Sequence, residues 1–153
     1  MQTVAESTRE YQRDTAAYIA LAIAQANGCQ VEFQDRATPD PEKFVKLWAV
    51  PGPERTRLSN DGALDEEITD KVFDIPRQLG CSCGQDDCPY IGQGDIYAGH
   101  TEIVLFPPET GVSVNAVVRF EGRDFSVKEP ACDSLKAKYK LACEFHKPRR
   151  THG

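Results

Sequence analysis

The stretch Val112-Ser113-Val114-Asn115-Ala116-Val117-Val118-Arg119-Phe120-Glu121-Gly122-Arg123-Asp124-Phe125-Ser126-Val127 decides the fold class. Its first part is dense in residues that suit a pleated surface, Glu121-Gly122-Arg123-Asp124 supplies a turn, and Phe125 and Val127 then alternate with polar neighbours. Strand, turn and strand predict an antiparallel hairpin. Upstream, Thr101–Phe106 reads as a further strand. Val31 and Phe33, with their polar neighbours, and Phe44–Val50 predict a second hairpin. Pro39-Asp40-Pro41 between these two strands and Pro51-Gly52-Pro53 after them fix turns, because proline brings no ladder donor and holds its predecessor extended.

Helices are expected at three places. Ser7-Thr8-Arg9-Glu10 matches the S-x-x-E capping box, and a helix from there runs to Asn27-Gly28, where glycine suits a helix end. Its 16–24 portion is apolar nearly all round, so it is expected to be buried in the protein or against a partner subunit. Leu64, Ile68 and Val72 recur every four residues behind Asp65, Glu66 and Glu67, predicting a short helix that ends before Pro76. Asp133 or Ser134 can cap a last helix that puts Leu135, Tyr139, Ala142, Cys143 and His146 on one side and stops at Pro148. The expected fold is therefore α+β: a mainly antiparallel sheet with an N-terminal and a C-terminal helix, in a single domain over residues 1–153.

A chain of 153 residues with 40% hydrophobic content can bury roughly 70% of its unfolded surface, so it needs no disulfides to build a core. The net charge of −6 excludes a general nucleic-acid coat protein. Charge is uneven, net −10 over residues 1–122 and +4 over 123–153. Lys136, Lys138, Lys140, Lys147, Arg149 and Arg150 can meet phosphates or an acidic partner; a solvated face and charged tail is the plainer reading. The apolar run Ala16–Ala24 follows a flank carrying Glu6, Glu10 and Asp14 rather than a positive leader. Its nine residues span only about 14 Å as a helix, half a bilayer core. A cytoplasmic protein is expected, in which the six cysteines serve as core residues or metal ligands rather than as disulfides.

Gly80-Cys81-Ser82-Cys83-Gly84-Gln85-Asp86-Asp87-Cys88-Pro89 sets three thiols within eight residues, flanks the C-x-C pair with glycines and shows no hydrophobic periodicity. Tight turns let short cysteine spacings converge on tetrahedral zinc at about 2.3 Å. The spacing predicts a structural zinc site on Cys81, Cys83 and Cys88 that shapes a loop over residues 80–94. His146 leads for the fourth position, since it stands three residues from Cys143 on one face of the expected last helix. Cys143, His100 and Cys132 are the other candidates, although Cys143 also reads as a small buried hydrophobe. Cys29, just past a helix end, reads as core.

Ser82-Cys83-Gly84 together with Lys138-Tyr139-Lys140, Cys143 and His146 resembles the short zinc motif at the tail of the bacterial preprotein-translocase motor. The resemblance covers these few positions, with a long insertion between its halves and the additional Cys88, and implies zinc alone.

Catalytic patterns are weak. His100-Thr101-Glu102 matches the H-x-E half of the zinc-deaminase signature, but no P-C-x-x-C follows. Gly92-Gln93-Gly94 lacks the strand-to-helix setting of a dinucleotide site, and no phosphate loop or HExxH occurs. Cys83 as a reactive thiol would be opposed by Asp86 and Asp87. A non-catalytic interaction or structural protein, working with a protein partner or multisubunit assembly, is expected. A nucleic-acid-binding zinc module using residues 134–150 is the alternative, and a thiol or zinc enzyme ranks behind both. No membrane contact and no small-molecule substrate is evident.

Overall fold

A computed structural model describes residues 4–35, 43–59, 66–83, 88, 91, 103–108, 111–132 and 137–148. One helix, α1 (Val4–Asn27), precedes eight strands: β1 (Cys29–Gln34), β2 (Val45–Ser59), β3 (Glu66–Pro76), β4 (Gln78–Cys81), β5 (Ile103–Phe106), β6 (Val117–Phe120), β7 (Arg123–Cys132) and β8 (Lys138–Pro148). Six strands run β1-β6-β7-β8-β3-β2 and close through the β1–β2 pairing into an antiparallel barrel, from which β4 and β5 branch off β2. Closure leaves no free edge where the barrel is complete, which is how a small all-antiparallel sheet avoids an exposed ladder.

Alternation builds the core. Val31 and Phe33 of β1, Leu47 and Ala49 of β2, Phe73 and Ile75 of β3, Phe125 and Val127 of β7, and Leu141 and Cys143 of β8 all point inward. Phe106 of β5 packs edge-on against Phe33 at 5.3 Å and Tyr139 at 6.0 Å. In a separate group of rings, Phe73 meets Phe120 at 5.6 Å and Phe125 at 5.5 Å, and Phe125 meets Phe145 at 5.7 Å. The opening hairpin is present: Phe120 pairs with Arg123 across a two-residue turn in which Glu121 (φ 52°) and Gly122 (φ 75°) both take positive φ. That conformation matches the twist of the strands and suits glycine at the second position. The β1–β2 hairpin also forms.

Two expected helices are strands. Residues 66–76 form β3 because the period-4 set Leu64, Ile68, Val72 is equally a period-2 set, while Thr69, Lys71, Phe73 and Ile75 supply the buried face. Residues 138–148 form β8 because Tyr139, Leu141, Cys143 and Phe145 alternate with polar or small residues. Among the described residues the architecture is thus mostly β with one helix, and the α+β assignment with a C-terminal helix is corrected accordingly. Pro51-Gly52-Pro53 forms no turn; it is an irregularity within β2, where Pro51 faces Phe73 and Glu54 faces Lys71. The helix start also shifts. Ser7 lies inside α1, and Thr8 Oγ1 donates to the Val4 carbonyl at 2.9 Å, a bond internal to a helix.

Candidate metal centre

Pro76 ends the β2–β3 ladder, since it has no N–H to offer β2. Gln78 fills the gap with its side chain: its Oε1 accepts from Trp48 N–H at 2.7 Å, and its Nε2 donates to the Trp48 carbonyl at 2.8 Å and the Pro76 carbonyl at 2.9 Å. This buried amide stands in for a peptide unit and steers the chain into β4, where Cys81 pairs with Lys46 of β2 and with Ile103 of β5. Gly80 permits that approach. A Cβ there would lie 2.3 Å from Val45 Cγ1 and 2.5 Å from Leu47 Cδ2.

Beyond β4 the chain turns, and the ligand atoms of Cys81, Cys83 and Cys88 all lie within 4.8 Å of one another. Cys81 and Cys88 are buried and Cys83 is half-buried. Cys81, Cys88 and Ile91 form a hydrophobic cluster separate from the barrel core, with Trp48 and Cys83 packed against it. The Cys83 N–H points at Cys81 Sγ at 3.4 Å, the kind of bond that supports a thiolate in a tight metal-binding turn. Burial pushes the Cys81 thiol up to about 12, partly offset by that N–H. All six cysteines are free of disulfides. Tetrahedral coordination at about 2.3 Å places sulfurs about 3.8 Å apart, so these thiols need to close by about 1 Å or less to hold a metal ion.

The other candidates lie elsewhere. His146 is on β8, where Nδ1 bonds Glu66 Oε2 at 3.0 Å and Nε2 bonds Glu144 Oε1 at 2.9 Å. The two carboxylates hold its pKa above the usual imidazole value, and it is not part of the sulfur cluster. Cys143 sits in the barrel core with its thiol donating to the Leu141 carbonyl at 3.5 Å, and burial alone pushes it up to about 12. Cys132 is exposed at the end of β7, opposite Tyr139. Cys29, read from the sequence as core, is half-buried and packs beside it, and its pKa is raised chiefly by burial. His100, Glu102, Gly92, Gly94, Asp86 and Asp87 lie outside the described residues.

Sequence reasoning missed two features. One is Gln78, whose role shows only once Pro76 is known to be a strand end. The other is a charged group by the barrel wall: the half-buried Arg123 meets Glu54, while the Lys71 ammonium, itself buried, donates to the Gly52 carbonyl at 2.7 Å and lies 5.0 Å from the Phe120 ring. Of the basic residues singled out on the last element, Lys138 stands across from Pro76 and two others stand across from acids. Lys140 pairs with Asp74 and Lys147 with Glu67. Lys136, Arg149 and Arg150 lie outside the described residues. No described helix is long and apolar enough to cross a membrane. No family model, no curated protein and no solved structure matches the chain.

Proposed function

We propose that this chain is a non-catalytic interaction protein whose Cys81, Cys83 and Cys88 bind a structural zinc ion. The observation that carries this reading is the convergence of three sulfurs within 4.8 Å inside their own small hydrophobic cluster. Three thiolate donors select zinc over hard cations. They also donate enough charge to make the ion a poor Lewis acid, which suits a fastening role rather than hydrolysis. Of the candidates for the remaining position, Cys143 lies in the barrel core and His146 is held by two carboxylates.

Such an ion would fasten the chain where β4 and β5 branch off β2 on two short strands. An interaction role is supported by the outward face of α1, which leaves Tyr11, Tyr18, Ile19 and Ile23 exposed. The nucleic-acid reading loses weight because Lys140 and Lys147 face carboxylates across the sheet, which lowers their net attraction for phosphate. Zinc-edge X-ray absorption of the full chain tests the site. Three sulfur neighbours at about 2.3 Å are expected. A shell dominated by oxygen and nitrogen would overturn it.

A further inference from the structure

The sulfur trio is unevenly exposed. Cys81 and Cys88 are 1% and 7% exposed, while Cys83 is half-buried and packs against their cluster. An oxidant arriving from solvent therefore meets Cys83 first. The nucleophilic form of a cysteine is the thiolate, and a metal-bound sulfur is a thiolate, so Cys83 keeps its reactive form with an ion in place. Other described cysteines stand in different settings. Cys143 is enclosed in the barrel core, where its thiol donates to the Leu141 carbonyl, and Cys132 lies exposed at the end of β7.

Two thiols stand within reach of an oxidised Cys83. The three sulfurs lie within 4.8 Å of one another and a disulfide needs about 2.05 Å, so the closing movement is less than about 3 Å. Cys81 is the poorer partner. It sits in β4, paired with Lys46 on one side and Ile103 on the other, and its Sγ faces the Cys83 N–H at 3.4 Å. A bond across the single residue Ser82 would also close a ring too small for relaxed disulfide geometry. Cys88 lies outside the strands, so it can swing to Cys83 without breaking a ladder.

We infer that the metal centre is redox-sensitive: a peroxide converts Cys83 and Cys88 into a disulfide, the ion is released, and the fastening of β4 and β5 to the barrel loosens. The inference rests on the metal reading above and supplies its regulation. The Cys83 thiolate attacks one peroxide oxygen; an S–O bond forms, the O–O bond breaks, and the departing hydroxide takes a proton to leave as water. The Cys88 thiolate then attacks the sulfenyl sulfur; the S–S bond forms, the S–O bond breaks, and the displaced hydroxide takes a second proton to leave as water. Two electrons pass from the two sulfurs to the peroxide. Cys81 is left as the one thiolate of the trio, too few donors to keep zinc. Trp48 packs on this cluster and is the single tryptophan of the chain, so its emission reports the change.

Titration of the full chain, reduced and zinc-loaded, with hydrogen peroxide tests this. The expected result is release of about one zinc per chain, in step with a Cys83–Cys88 disulfide found by peptide mass mapping and with a shift in Trp48 emission. Dithiothreitol followed by zinc is expected to reverse all three. Cys132→Ser is expected to release zinc at the parent's rate. Zinc retained once the exposed Cys132 has been oxidised, release that tracks sulfinic acid in place of a disulfide, or a disulfide made through Cys81 or Cys132 would overturn the inference. A zinc assay before peroxide is added separates the two readings. A chain without zinc at the outset sinks the metal reading and this inference with it, whereas zinc that stays bound through the titration sinks only the redox response.

Discussion

Gln78 and Trp48 are joined by two hydrogen bonds of 2.7 and 2.8 Å, which bind the branch carrying the cysteines to the barrel wall. The bonds satisfy both backbone groups of Trp48 where Pro76 offers no donor, and the Trp48 side chain packs on the sulfur cluster. Gln78→Leu strands those groups in a buried site. A loss of about 3 kcal/mol is expected by urea unfolding, since each orphaned group costs about 1–3 kcal/mol. An unchanged midpoint would show that the branch is held in some other way.

Gly80→Ala addresses the same junction from the steric side. The added methyl meets Val45 and Leu47 side chains well inside contact distance. Overpacking of about 1–3 kcal/mol is expected, with looser metal binding, because β4 must move off β2 to make room.

The network around His146 predicts a pH response. Glu66 and Glu144 raise its pKa above 6.5 in the folded chain, and Arg57 reaches Glu144 at 3.3 Å and Asp70 at 2.9 Å. A raised folded value means that the stabilisation is complete below the unfolded value and disappears as pH rises through the folded one. Glu66→Gln should therefore cost more stability at pH 5.5 than at pH 8.5. The groups are well exposed, so the difference stays under about 1 kcal/mol. Denaturant titrations at the two pH values measure it.

Glu54 responds in the opposite direction. The hydrogen bond from Arg123 holds its carboxyl below 4.5. A depressed folded value gives stability that is present above the unfolded value and lost as pH falls through the folded one. Glu54→Gln is expected to lower stability at neutral pH and to flatten the acid limb of the stability curve. Parallel limbs in the variant and the parent would contradict this.

The barrel was partly legible in the sequence. Val31 and Phe33, Leu47 and Ala49, and Phe125 and Val127 alternate cleanly, and Glu121-Gly122 carries its own turn chemistry, so both hairpins follow from local pattern. The residues of β3 and β8 mislead because a spacing of four keeps a residue on one face in a strand as well as in a helix. In β8, Ala142 joins the apolar helical set and hides the alternation of Leu141, Cys143 and Phe145. Closure is a nonlocal fact: β1 meets β6 through Glu32–Arg119, and no local signal marks that pairing. The sulfur trio was readable because its spacing is short. A fourth ligand on the last element was not, since that inference borrowed the geometry of a helix where the chain forms a strand.

Zinc content and thermal stability of freshly purified, reduced full-length chain test the central claim most directly. The account predicts about one zinc per chain, a melting midpoint that falls on chelation and recovers when zinc is returned, and loss of both metal and shift in Cys83→Ser. Folded, reduced protein that carries no metal, takes none up and melts identically with and without chelator would contradict it.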